Sequence, residues 1–380
     1  MGFRIASFNI QKFSWSAVKV DSTGETRKDI DTIAKIIRNN AFDIVAIQEI
    51  YHKEALKELL EKLSGQYADV LKRGNHTMAT SNIGSRMNDS YGYRTKHWEG
   101  RWAQPISYYG GNNIAEGYAF IWNRDRIQLV TNMLGEAFEP RIADFGNAKQ
   151  LARPPFIGRF MPINGRYEIR LINTHIVYAL PSKKLNEDDD SEAEYSQTDI
   201  KDYELRRNEF DSIIRTIYSD YAEQVFDKTG HDKLSRGLVM YTFMLGDYNL
   251  NLPNVRGQSS AKLTEESGKI DIISRKKTKM NIVTVNDKLT TLRGKPKDPD
   301  KAKLLKLDPD VEHHLANNYD HFSYDVNKLT EHDIAQPDVG TILAFEEYQD
   351  TELESRYDIY RTKVSDHIPI YLDFDVLKRV

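Results

Sequence analysis

The run GLVMYTFMLGDYN, residues 237–249, decides how this chain is read. An apolar, aromatic-rich strand pattern stops at Gly246. Asp247 and Asn249, a carboxylate and a carboxamide two residues apart, follow at once. A glycine lets the backbone turn, so both polar groups are delivered from a rigid strand end. Seven further segments read the same way: FRIASFNI (3–10), FDIVAIQEI (42–50), GYAFIWN (117–123), YEIRLINTHIVY (167–178), MNIVTV (280–285), YDHFSYD (319–325) and IPIYLDFDV (368–376). Short runs rich in Ile, Val, Tyr and Phe, bounded by turn residues, are sheet core. Helical spacing lies between them. Ile30, Ile33, Ala34 and Ile37 share a face within 26–40, and Leu56, Leu59, Leu60 and Leu63 within 52–64; the longest helical pattern covers 201–226. Strands and helices intermix throughout, which predicts an α/β or α+β fold with a large sheet system.

The totals set bounds. The 380 residues are 39% hydrophobic and 29% charged, the composition of a water-soluble globular protein with a sizeable core. No apolar run approaches the roughly 20 residues that span a bilayer, and the opening MGFRIASFNI reads as a strand rather than a leader. The chain has no cysteine, so disulfides and thiolate chemistry are excluded and a cytoplasmic setting is expected. The net charge of −4 argues against a protein that coats nucleic acid, though a local positive track remains compatible with a nuclease. Basic residues cluster in 274–280 and 292–306. Three polar stretches, near 74–114, 180–199 and 293–318, read as surface insertions. Strands on both sides of each are needed to complete one sheet system, so a single domain over 1–380 is expected. The acidic run 186–194 reads as a solvated loop, and His313-His314 as a surface pair.

Five strand-like segments carry a metal-binding or phosphate-active residue near an end. They supply Asn9, Glu49, His175, the pair Asp247 and Asn249, and the pair Asp366 and His367. Taken singly, each has an ordinary structural explanation. Together they form an oxygen-rich, thiolate-free donor set, which suits Mg²⁺ or Mn²⁺ better than zinc. Histidines beside such an ion donate to a phosphate or move a proton near neutral pH. The inventory fits hydrolysis of a phosphate ester.

The ordered set FNIQKF, DIVAIQEI, NTHIVY, MLGDYNLN, YDHF and SDHIPI, spread over residues 3 to 376, resembles the endonuclease/exonuclease/phosphatase superfamily and its deoxyribonuclease I-like branch. The resemblance implies a four-layer sandwich of two packed mixed β-sheets flanked by helices. It also implies roles. Glu49 matches the principal Mg²⁺ ligand, with Asn9 and Asp366 bordering the ion. Asp247 matches the residue that orients or deprotonates the attacking water, and Asn249 the one that binds phosphate or water. His367 matches the phosphate-contacting histidine and Asp320 its carboxylate partner. His175 matches a second histidine paired with Glu116, and Arg153 in ARPPF a phosphate-binding arginine.

Superfamily members hydrolyse DNA, RNA tails, inositol phosphates and sphingomyelin with one centre, so the centre fixes the reaction and not the substrate. The stretch NNYDHFSYD lacks the inositol 5-phosphatase signature, and His175 stands where AP endonucleases carry Tyr. The Glu116, His175 and Arg153 set implies a Mg²⁺-dependent phosphodiesterase acting on nucleic acid, DNA before RNA. A phosphatase acting on a small molecule or lipid headgroup is the rival, and a catalytically inactive binding protein the third reading. Tyr, Trp and Arg interleave in 74–114, a pattern able to stack bases. Gln11 departs from the branch, which often has a basic DNA contact there.

Overall fold

The computed structural model describes residues 2–20, 22–71, 91–104, 116–132, 135–176, 197–223, 238–252 and 269–376. One mixed sheet contains β1 (Phe3–Phe13), β2 (Ile44–Ile50), β3 (Asp69–Leu71), β4 (Tyr91–Arg94), β5 (Trp98–Ala103), β6 (Gly117–Asn123), β15 (Asp338–Thr341) and β16 (Ile370–Phe374). They lie in the order β15-β16-β1-β2-β6-β5-β4-β3. The second contains β7 (Ile127–Leu129), β8 (Arg141–Ile142), β9 (Phe156–Pro162), β10 (Tyr167–His175), β11 (Val239–Asp247), β12 (Lys269–Ile273), β13 (Lys279–Val285) and β14 (Asp320–Asp325). Its order is β12-β13-β14-β11-β10-β9-β7, with β8 beside β9. The central pairs β1–β2 and β10–β11 are parallel and their other neighbours antiparallel.

Side chains alternate across a strand, and this alternation sorts the core into layers. Phe3 and Ile5 of β1, Ile44 and Ala46 of β2, and Tyr118, Phe120 and Trp122 of β6 meet Ile169, Leu171, Tyr241, Phe243, Leu245, Phe322 and Tyr324 of the second sheet. The intervening residues face outward. On the first sheet, Phe8, Val45, Ile47 and Ile121 pack under the helices Ile30–Asn39 and Lys53–Ser64. On the second, Ile172, Met244 and Ile282 pack under Phe210, Ile213, Ile217 and Tyr221. The result is four layers, helix, sheet, sheet and helix, as the resemblance implied.

The helices begin and end for local reasons. The Asp29 side chain accepts from the Thr32 amide and caps Ile30–Asn39, which buries Ile30, Ile33, Ala34, Ile36 and Ile37. Gly65, with φ of 65°, closes Lys53–Ser64. The pattern over 201–226 forms the helix Gln197–Ser212, a π-helical stretch Ile213–Tyr218 and the helix Ser219–Glu223; residues 224–226 lie outside the described set.

Two expectations need correction. The described part of 74–114 is not loop: it forms β4 and β5. Trp98 and Trp102 pack under the helices, while Glu99 and Arg101 occupy the opposite face and pair with each other at 2.8 Å, joined by Arg94, Arg124 and Glu139. Paired charges are therefore buried on one face of a strand, and such a strand reads as polar in sequence. Residues 74–90, 105–114 and 180–196 lie outside the described set. His314 is not at the surface: it is buried, stacked 3.6 Å from the Tyr357 ring, whereas His313 is exposed beside Asp308. Within 293–318 the chain forms a helix, Pro299–Lys306, with no buried residue. Among the described residues no helix is long and apolar enough to cross a membrane.

Candidate active site

The inter-sheet layer is apolar along most of its length and polar at one end. On the inward face β1 runs Phe3, Ile5, Ser7, Asn9; β10 runs Ile169, Leu171, Asn173, His175; and β11 runs Tyr241, Phe243, Leu245, Asp247. The antiparallel strands enter at the same end, β14 with Asp320 and β6 directly after Glu116. Each strand thus changes character over its last one or two inward positions, and the polar ends meet. The register brings this about: His175 pairs with Asp247 across β10–β11, and Asp247 with Asp320 across β11–β14.

Asp247 is the hub. Its Oδ2 accepts from Asn9 Nδ2 at 3.0 Å and faces His367 Nε2 at 3.5 Å and His175 Nε2 at 3.6 Å. Its Oδ1 accepts from the Asn249 amide at 2.9 Å. Asn249, in the left-handed region with φ of 50°, donates through Nδ2 to the Ile176 carbonyl at 2.8 Å. Gly246 is required. Its φ is 142°, and a Cβ there would sit 1.8 Å from the Thr174 carbonyl oxygen. Burial pushes the Asp247 carboxyl up, against the pull of His367 and His175, and Asp320 adds to the rise.

The two histidines are held from behind. His367 Nδ1 lies 2.7 Å from Asp320 Oδ2. Burial alone would lower the His367 imidazole, but the charges of Asp320 and Asp247 and the hydrogen bond to Asp320 hold it well above its ordinary range. Both ring nitrogens of His367 thus face carboxylates, Nδ1 that of Asp320 and Nε2 that of Asp247. His175 Nδ1 lies 3.4 Å from Glu116 Oε2. Glu116 also receives Arg153 Nη2 at 2.7 Å and the Tyr51 hydroxyl at 3.0 Å. Burial pushes the Glu116 carboxyl up, but His175, Arg153 and Tyr51 outweigh it and bring it down to about 2.

Glu49 reaches the site by a backbone device. Strict alternation would send Gln48 inward and Glu49 outward. The β2–β6 register shifts between Ile47 and Ile50, and Glu49 takes a φ of 59°. A bulge re-aims a side chain in this way. The carboxylate then accepts from Asn9 Nδ2 at 3.1 Å and from the Lys12 amide at 3.1 Å. Asp366 lies on the same rim, where its Oδ2 accepts from Gln11 Nε2 at 2.6 Å. Every residue expected in the site, Asn9, Glu49, Glu116, Arg153, His175, Asp247, Asn249, Asp320, Asp366 and His367, is thus linked into this one end of the sandwich.

The donor set fits a hard divalent cation. Asn9 Oδ1 and Asp366 Oδ1 are buried and make no hydrogen bond, and the Glu49 carboxylate lies beside Asn9. Two carboxylates and a carboxamide suit an ion that keeps much of its water. Among the described residues no group of three His, Cys, Asp or Glu forms a ligand cluster.

The model of the Endonuclease/Exonuclease/phosphatase family matches residues 6–367. This chain belongs to that family. Its members are hydrolases of phosphate esters and generally depend on a divalent metal ion, and the chain is a phosphoesterase of this superfamily. No curated protein matches the sequence. Similar solved structures include an endonuclease/exonuclease/phosphatase from Bacteroides vulgatus, 11% identical over 99% of each chain with a TM-score of 0.47. A family protein from Bacteroides thetaiotaomicron is 14% identical over 100% of this chain and 99% of that one, with a TM-score of 0.41. A mannosyl-6-phosphatase from the same species is 14% identical over 97% and 98%, with a TM-score of 0.40.

Sequence reasoning missed several supporting residues. Tyr51, two positions past Glu49, is visible only as an aromatic after a strand. Ser365 Oγ donates to the Asn9 carbonyl at 2.6 Å and accepts from the His367 amide at 3.1 Å, tying the loop before β16 to β1. Lys28 is buried, with Nζ donating to the Val364 carbonyl at 2.7 Å. Burial brings its ammonium down to about 8, against the pull of Asp366 and Glu49. Nothing in the sequence around Lys28 signals that position.

Proposed function

We propose that this chain is a Mg²⁺-dependent phosphodiesterase, an endonuclease that hydrolyses DNA through attack of an activated water. Glu49, Asn9 and Asp366 would hold the ion, and Mn²⁺ is an acceptable substitute for the same oxygen donors. When bound, the ion polarises a phosphate oxygen and neutralises charge on it. His367, braced by Asp320 and favoured in its protonated form by the carboxylates around it, donates from Nε2 to the scissile phosphate. Asp247, buried with the two histidines beside it, accepts a proton from the attacking water. Asn249 orients that water or the phosphate. His175 is kept in place by Glu116, and Arg153, whose Nη1 is buried and makes no hydrogen bond, meets a phosphate oxygen.

The observation that carries this reading is the Asp320–His367–Asp247 chain, at 2.7 and 3.5 Å, next to the Asn9–Glu49 pair. Plasmid nicking by the purified protein in Mg²⁺ or Mn²⁺, with EDTA as control, tests it. Metal-dependent nicking is expected, with His367→Ala and Asp247→Ala each slower by about 10³-fold. Phosphate release from small esters without nicking transfers the site to a phosphomonoesterase. No hydrolysis of either substrate class, or equal rates in the wild type and both variants, overturns the assignment.

A further inference from the structure

We propose that Gln48 and Asn173 form a cross-sheet clamp that fixes the two halves of the site against each other, acting as positioning residues for the hydrolysis. The inference rests on the functional reading above and goes beyond it, because neither residue touches the reacting groups.

The site is assembled from two sheets. Asn9 and Glu49 come from β1 and β2, while His175, Asp247 and Asp320 come from β10, β11 and β14. Apolar contact between sheets is non-directional and sets no fine register. Directly beneath the polar end, the apolar layer is interrupted by two fully buried amides. Gln48 Nε2 donates across the gap to Asn173 Oδ1 at 2.7 Å. Asn173 Nδ2 donates back to the Ile47 carbonyl at 3.1 Å and the Ala119 carbonyl at 3.2 Å. Gln48 Nε2 also donates to Ser7 Oγ at 3.2 Å. Amides buried in an apolar layer are costly unless satisfied, and here both are.

The anchor points are informative. Ile47 and Ala119 are the last regular pair of the β2–β6 ladder before the register shift that carries Glu49. Asn173 therefore pins the base of the bulge that aims Glu49 into the site, and two residues later the same strand presents His175. Gln48 closes the link from the residue adjoining Glu49. Hydrogen-bond lengths are confined to a few tenths of an ångström, so the clamp transmits that tolerance to the spacing between the ion-holding side, which also carries His367, and the side that carries His175, Asp247 and Asp320. A misplacement of about 1 Å costs about a hundredfold in rate.

The test compares wild type, Gln48→Met, Asn173→Ser and Ser7→Ala, each with Mg²⁺ and well below its melting temperature. Gln48→Met and Asn173→Ser are expected to lower kcat by about a hundredfold, with KM and calorimetric Mg²⁺ affinity within about threefold of wild type. Ser7→Ala leaves the cross-sheet bond in place and is expected within about twofold. Folded clamp variants with near-wild-type kcat overturn the clamp alone; a wild type without phosphoesterase activity overturns the functional reading and the clamp's role with it. If both clamp variants fail to fold, the side-chain amide protons of Gln48 and Asn173 in the wild type decide. Exchange as slow as global unfolding supports the clamp, and exchange at the rate of exposed amides overturns it.

Discussion

Replacing Glu116 with Gln keeps the shape of the side chain and removes its charge. The structure sets the size of the effect. The side chain is only 12% exposed, so solvent screens its partners weakly. Arg153 Nη2 lies at 2.7 Å, His175 Nδ1 at 3.4 Å and the Tyr51 hydroxyl at 3.0 Å. Burial works against ionisation, yet these partners bring the carboxyl from an ordinary 4.5 to about 2. At roughly 1.4 kcal/mol per tenfold change, that difference is worth about 3 kcal/mol of stability at neutral pH. The folded-state value is the lower one. The contribution is therefore complete above pH about 4.5 and is lost as pH falls toward about 2. Glu116→Gln is expected to lower the unfolding free energy by about 3 kcal/mol at pH 7, measured by urea titration. The gap between wild type and variant should narrow below pH 4.5 and close as pH falls through about 2, where the folded-state carboxyl is protonated. A gap that stays constant from pH 7 to pH 3, or one absent at pH 7, would refute the argument that His175 and Arg153 act on Glu116 as charges.

Two further outcomes follow from the same geometry. Gly246→Ala places a methyl group 1.8 Å from the Thr174 carbonyl oxygen at a φ of 142°; the strain should cost more than about 3 kcal/mol and displace Asp247, so an unchanged urea midpoint with full activity would contradict it. Glu168 is fully buried between Arg159, at 2.7 and 2.9 Å, and Arg170, at 2.6 Å. Glu168→Ala should cost about 3–5 kcal/mol by leaving buried guanidinium groups without their carboxylate, and a loss below 1 kcal/mol by the same titration would argue against that pairing.

Much of the architecture was legible in the sequence because it follows short-range rules. Ile30, Ile33, Ala34 and Ile37 recur at helical spacing and pack as that spacing predicts. The strand runs ending in His175 and Asp247 stop where polar residues begin, and those residues face the same end of the sandwich as Asn9 of β1. The strands β4 and β5 were not legible. Glu99 and Arg101 alternate with tryptophans, and charged residues are acceptable in a buried face only because Arg94, Arg124 and Glu139 arrive from elsewhere to pair with them. The buried group Arg159, Glu168 and Arg170 escaped notice for the same reason.

The sequence by itself singled out the polar residues that meet at one end of the sandwich, in their order, and that strands would hold most of them, since residue type and local periodicity are properties of the chain alone. It could not determine that Glu49 faces inward. By alternation alone Glu49 points to the helices; the bulge, its φ of 59° and the bonds from Asn9 and the Lys12 amide turn it back. Nor could it pair Gln48 with Asn173, 125 residues apart, or bury Glu168 between Arg159 and Arg170. Those contacts depend on which strand lies beside which and in what register, and both are fixed by packing between segments that are distant in the chain.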